Sequence, residues 1–241
     1  MLKTLLLLGL ALVPLTGLAA DPAAEALIGQ GNQLDNQGDH VGAIDAYSKA
    51  IALGATYEGL IDRSFAYSAS GHYAEAFHDL DRARALKPAD PAPLSARYWF
   101  DFELYQFPAV IATIDRMNGM RPADPYAPLL RFIAASRLGQ DGSGDLDKSV
   151  APATRNQWPQ AVAQLFLGKV TPDQLLGWVA ESGNQQASCE APFYVGEYLL
   201  IHHRPDLARV ALSENQRDEC RPVTEYYAAA GELVSLGNAV Q

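Results

Sequence analysis

The sequence predicts an all-α protein built as a solenoid of helix-turn-helix units, and three observations carry that prediction. Lys87-Pro88-Ala89-Asp90-Pro91 and Arg121-Pro122-Ala123-Asp124-Pro125 repeat the same joint 34 residues apart, which is the period of a helical-hairpin array. Runs of alternating β-branched residues are scarce, and alanine-rich stretches recur at helical spacing instead. The chain has 241 residues, 49% of them apolar, enough for one extended array or two small domains.

Each residue of the joint has a physical task. The basic residue sits where the last carbonyls of a helix favour positive charge, and the first proline cannot continue that helix. Asp90 or Asp124 caps the next helix, and Pro91 or Pro125 takes the first helical position, where a missing N–H costs nothing.

Residues 1–20 read as a cleaved secretory signal and stand outside the fold. Lys3 gives the basic start, Leu5 to Val13 the apolar run, and Leu18-Ala19-Ala20 the small residues at the cleavage point. The run is shorter than the roughly 20 residues a spanning helix needs, and no later stretch approaches that length, so no membrane span is expected. Leu15-Thr16-Gly17 has the look of a lipoprotein signal, but Leu18 stands where the lipid-modified cysteine would be. A lipid anchor is therefore not expected, and release into the periplasm is.

The units then follow in order. In the first, Gly31, Leu34, Gly38, Ala43, Tyr47 and Ala50 alternate small and large positions, with Gly38-Asp39 as the internal turn. In the second, Ser64, Tyr67, Ala76, Leu80, Ala83 and Pro88 do the same around Gly71-His72. This spacing resembles the tetratricopeptide repeat. A third unit places Tyr98, Val110, Ile114, Met117 and Pro122 in register, and a partial fourth runs from Tyr126 to Leu138. Residues 21–138 thus read as three full repeats and part of a fourth.

Residues 139–188 read as a flexible connector, Gly139 to Gly144, and a non-repeat helix pair, Trp158 to Gly168 and Pro172 to Glu181, the second capped by Thr171. Asp141, Ser143, Asp145 and Asp147 suggest a calcium loop, but its twelfth position would be Pro152 where a bidentate glutamate is required. A solvated linker with a helix cap is the better reading. The period returns over 189–222, where Gly196, Leu199, Ala208 and Leu212 match and His203-Arg204-Pro205 turns. Residues 223–241 form a terminal capping helix, with Tyr227, Ala230, Leu233 and Val234 on its buried stripe and Glu225 and Glu232 outside it.

Two stretches carry a more particular likeness. The run from Trp158-Pro159-Gln160-Ala161 to Thr171-Pro172-Asp173-Gln174-Leu175-Leu176, and Cys189-Glu190-Ala191-Pro192-Phe193-Tyr194-Val195-Gly196-Glu197-Tyr198, resemble the corresponding parts of NlpI-type periplasmic tetratricopeptide proteins. That resemblance implies an envelope scaffold, dimeric in its best-known member, that recruits peptidoglycan hydrolases and processing proteases.

The only two cysteines, Cys189 and Cys220, fall at adjacent ends of one antiparallel hairpin. In an oxidising compartment a disulfide is expected, worth roughly 3 to 4 kcal/mol for a loop of this size. Neither a C-x-x-C spacing nor a nearby histidine favours a redox or metal site, and no metal or cofactor is expected.

No catalytic pattern appears. The five histidines, His40, His72, His78, His202 and His203, form no metalloprotease motif, and no glycine-rich phosphate loop or nucleophile elbow is present. Asp79 and Asp81 lie two apart on a helix and face different ways. An enzyme is not expected. The formal net charge of −10 disfavours nucleic acid and anionic membrane surfaces.

A binding groove is the favoured site. First helices line the concave face of such arrays, and their exposed inner positions here would be Asn32, Asp35, Glu58, Ile61, Phe65, Ser95, Trp99, Phe102, Leu129 and Ile133. They would form an aromatic and apolar groove with an acidic entrance, lacking the lysines and arginines that clamp a C-terminal carboxylate. Trp99 and Phe102 fit packing between units equally well. Two functions remain at this point: an adaptor that holds envelope proteins in the groove, or a structural subunit whose groove is idle.

Overall fold

The structure, a computed structural model, describes residues 21–121, 123–149 and 157–238. The signal reading over 1–20, Pro122 and Pro152 lie outside them. Among the described residues there are thirteen α-helices, one 3-10 turn and no strand, so the all-α prediction holds. Consecutive helices pack as antiparallel pairs: α1 (Pro22–Asn36) on α2 (His40–Ala52), α3 (Thr56–Ala69) on α4 (Tyr73–Leu86), and α5 (Ala92–Glu103) on α6 (Phe107–Arg116). They are followed by α7 (Ala127–Arg137), α8 (Ser143–Ser149), α9 (Ala161–Phe166), α10 (Pro172–Ser182), α11 (Gln185–Ile201), α12 (Pro205–Asn215) and α13 (Thr224–Asn238).

The joints act in part as expected: Pro91 and Tyr126, not the aspartates, are the cap positions, Pro91 and Pro125 precede rather than open α5 and α7, and α6 ends at Arg116, before Arg121. Asp90 Oδ1 accepts from the Ala92 N–H at 3.0 Å and Asp124 Oδ1 from the Tyr126 N–H at 2.9 Å, each satisfying a donor that its helix leaves free. Gly38 and Gly71 turn the first two hairpins at φ 83° and 77°, a region closed to most side chains. The close crossings are visible at two glycines. A Cβ on Gly31 would lie 2.4 Å from the Tyr47 ring, and one on Gly196 would lie 2.6 Å from Leu212. Each glycine lets a large residue of the second helix press onto the backbone of the first.

Three boundaries differ from the sequence reading. Residues 139–144 are not a free connector: Gly139 makes a turn at φ 72° and Ser143 already begins α8, with Asp141 Oδ1 accepting from the Ser143 N–H. The fourth unit thus has a short second helix. Helix α9 is shorter than expected, because residues 157–160 form a turn before it. Helix α11 starts at Gln185, where Asn184 Oδ1 accepts from the Ala187 N–H, so Cys189 lies one turn inside the helix and a boundary at 189 would cut it. The Cys189–Cys220 disulfide is formed, and Cys220 ends the 3-10 turn Asp218–Cys220.

Pro192 lies inside α11 and removes the N–H that would bond the Ser188 carbonyl. Arg217 Nη2 donates to that carbonyl instead at 2.8 Å, and Asn215 Nδ2 donates to the Cys189 carbonyl at 2.7 Å. The loop that carries Cys220 is therefore tied to α11 at the proline by hydrogen bonds as well as by sulfur.

The largest correction concerns α13. The expected stripe of Tyr227, Ala230, Leu233 and Val234 is not the buried one, and Val234 is 64% exposed. The buried face is Glu225, Ala228, Ala229 and Glu232, each at most 3% exposed, a regular i, i+3, i+4, i+7 stripe. This face packs on α5, α11 and α12. The helix does not only close the end of the array; its amino-terminal half reaches back to α5, and the Tyr227 ring meets His40 edge-on at 5.9 Å.

Candidate binding groove

Buried glutamates seat α13, and each needs a donor to be tolerated away from water. Glu225 accepts from the Tyr194 hydroxyl of α11 at 2.8 Å. Glu232 and Glu197 both receive Arg137 Nη1, at 3.1 and 3.0 Å, so one guanidinium joins α7, α11 and α13. Burial pushes the Glu197 carboxyl up to about 8, with the neighbouring Glu232 adding to it against the pull of Arg137. Burial likewise raises Glu225 to about 8, helped by the charge of Glu190. Burial thus favours the protonated form of the carboxyls that hold this helix.

Between α13 and the first helices of the hairpins runs a groove made of two cavities. The larger, about 520 Å³, lies between Ile61, Phe65, Ser95 and Trp99 on one side and Glu190, Pro222 and Glu225 on the other. The smaller, about 190 Å³, lies between Asn32, Asp35, Asp62 and Glu103 on one side and Arg221, Thr224 and Tyr227 on the other. Phe65 and residues 222–224 border both cavities, so the two are neighbours with a common wall at the Phe65 ring, which itself packs edge-on against Phe100.

The expected groove residues divide cleanly. Asn32, Asp35, Ile61, Phe65, Ser95 and Trp99 line the two cavities. Asn32 Oδ1 accepts from the Tyr47 hydroxyl at 2.7 Å, Asp35 is hydrogen-bonded to His40 Nδ1 at 2.6 Å, and the Ser95 hydroxyl donates to Asp124. Glu58 is exposed and paired with Lys87 instead, at 3.1 Å. Phe102, Leu129 and Ile133 are not exposed inner positions: at 2%, 1% and 0% exposure they belong to the core. Trp99 does both, since it borders the larger cavity yet packs on Phe102 and Phe193.

Sequence reasoning missed Glu190 and Glu225 on the opposite wall and Asp62 and Glu103 on the hairpin side. Glu190 collects the Tyr126 hydroxyl at 2.9 Å, the Trp158 indole N–H at 2.6 Å and the Gln186 amide at 2.7 Å, all neutral donors. Burial raises its carboxyl, and those three hydrogen bonds oppose the rise. Asp62 is pushed up to about 6 by burial and by the charges of Glu58 and Asp35, and burial lifts Glu103 to about 7 against the Ser68 and Tyr73 hydroxyls. The only available signal was Glu190 within the Cys189-to-Tyr198 run; nothing in periodicity pointed to Asp62, Glu103 or Glu225.

Among the described residues, no group of three or more histidine, cysteine, aspartate or glutamate side chains is placed to hold a metal ion, and no helix is long and apolar enough to cross a membrane. Asp79 and Asp81 do face apart: Asp79 is buried against Arg63 at 2.7 Å, whereas Asp81 pairs with Arg84 at the surface. No family model matches this chain, and no curated protein matches it.

Proposed function

We propose that this chain is a periplasmic tetratricopeptide-type adaptor, related to the NlpI-type scaffolds, that holds a segment of an envelope protein in the groove between its hairpins and α13. The observation that carries the reading is the pair of neighbouring cavities that share Phe65 and residues 222–224 as a border. A pocket of several hundred cubic ångströms with apolar walls and a few polar groups suits a side chain and its flanking backbone. The Cys189–Cys220 disulfide fits an oxidising compartment, where such a bond persists.

Trp178, 41% exposed on α10 and bordering a cavity with Trp158, Leu175 and Val179, favours the second reading, a structural subunit that docks through this apolar side of α10. Site-specific photocrosslinking in an envelope extract separates the two. A benzophenone side chain at position 65 should capture protein, and one at position 178 should not. Adducts at 178 alone would favour the subunit and remove the groove from the mechanism.

A further inference from the structure

The charge of the groove is one-sided. Apart from Glu225 and Glu103, buried carboxyls pushed toward the neutral form, the larger cavity is bordered by Asp90, Asp124 and Glu190 with no basic residue, and the smaller by Asp35 and Asp62 with Arg221 as its sole basic residue among the described ones. Arg221 is already engaged, donating to Asp218 at 2.9 Å and lying over the Tyr226 ring. Within the groove, Asp124 and Glu190 are met by hydroxyl, amide, indole and backbone donors. Such carboxyls gain nothing from one another and much from an incoming cation. Between the two acidic ends sits the apolar step of Phe65 and Ile61, both half-buried and free to cover more surface.

We propose that the groove binds an extended basic peptide segment, seating an apolar side chain on Phe65 and Ile61 and directing lysine or arginine side chains to the carboxyl groups on either side. This rests on the groove reading above and adds the chemical class of its partner. An extended strand places alternate side chains on one side, which lets one side chain meet the Phe65–Ile61 step while its neighbours reach the carboxyl groups.

The test uses the full disulfide-bonded protein and three fluorescein-labelled peptides: lysine alternating with leucine, glutamate alternating with leucine, and lysine alternating with serine. Fluorescence anisotropy should show binding of the lysine–leucine peptide, weakening as salt rises, and much weaker binding of the other two. Asp62→Asn combined with Glu190→Gln keeps shape and most hydrogen bonds while removing one carboxyl from each cavity, and should weaken binding roughly tenfold or more. The inference is overturned if the glutamate–leucine peptide binds as tightly, if the lysine–serine peptide does, if no peptide binds, or if the folded double variant binds unchanged. Capture at position 65 with no binding of the lysine–leucine peptide would overturn this inference and leave the groove reading standing. Absence of capture at position 65 would remove both.

Discussion

The α1–α2 and α11–α12 hairpins share one construction and differ in everything around it. Both cross closely at a glycine, Gly31 under Tyr47 and Gly196 under Leu212. The first hairpin stands at the end of the array and packs mainly on itself and α3. The second is surrounded: residues 189–197 are buried without interruption, and α11 touches α7, α9, α10, α12 and α13. An identical local motif can therefore be a free edge or the centre of the molecule, and the difference lies in long-range polar contacts. Around α11 those are the disulfide, the Tyr194–Glu225 hydrogen bond and the Arg137 bridge to Glu197 and Glu232. None has a counterpart on α1.

The largest expected effect tests whether that polar set is what separates the two regions. Arg137→Met should cost about 3 to 5 kcal/mol at pH 8 or above, because Glu197 and Glu232 lose the cation that holds them down and must be buried either unpaired or protonated above their ordinary range. At pH 5.5 the loss should be smaller, since Glu197, with its carboxyl near 8, then holds a proton. Urea unfolding at the two pH values measures both. Next, replacing both cysteines by alanine should cost about 3 to 4 kcal/mol through the restored freedom of the loop, and equal midpoints for the oxidised protein and this variant would dissolve the contrast between the hairpins. A smaller effect compares the glycines directly. Gly31→Ala and Gly196→Ala both overpack by one methyl group, about 1 to 3 kcal/mol, and the second should cost more because α11 has no free side toward which to move.

How much of this the sequence revealed follows the same division. The hairpins from α1 to α6 were legible because their determinants are local: Gly38 and Gly71 turn the chain, and Asp90 bonds the first N–H of α5. The core positions of α7 were misread because Leu129 and Ile133 face α11 and its neighbours, whose presence on that side no period announces. Helix α13 was misread for a sharper reason. Its glutamates look like a solvated face, and only partners 31 and 95 residues away make Glu225 and Glu232 fit for burial. Half of the groove was legible for the same cause: its repeat wall follows a period, while the wall from Gln186 to Glu225 is assembled by closure of the fold.

The smallest effect is a slope. Glu103, Glu197 and Glu225 keep their protons in the folded state up to about 7, 8 and 8, whereas in the unfolded chain a glutamate loses its proton near 4.3, an approximate reference value. The folded state thus binds more protons across that window, so these groups stabilise it fully below the unfolded value and progressively less as pH rises through 7 to 8. Thermal unfolding should shift to lower temperature between pH 5 and pH 8.5. Glu225→Gln, which keeps an acceptor for Tyr194 and cannot ionise beside Glu190, should flatten the upper part of that slope; a slope unchanged by the substitution would mean that Glu225 is not a contributor.

The central claim is that α13 packs back toward α5 and that its first turns, with residues 221–223, form the second wall of the groove. Its most direct test is a nuclear Overhauser measurement on protein with labelled histidine and tyrosine rings. The His40 and Tyr227 rings, 5.9 Å apart by centroid, should give cross-peaks that vanish in Tyr227→Ala. A folded, oxidised protein with no contact between those rings, and with free exchange of the α13 amides, would contradict the account.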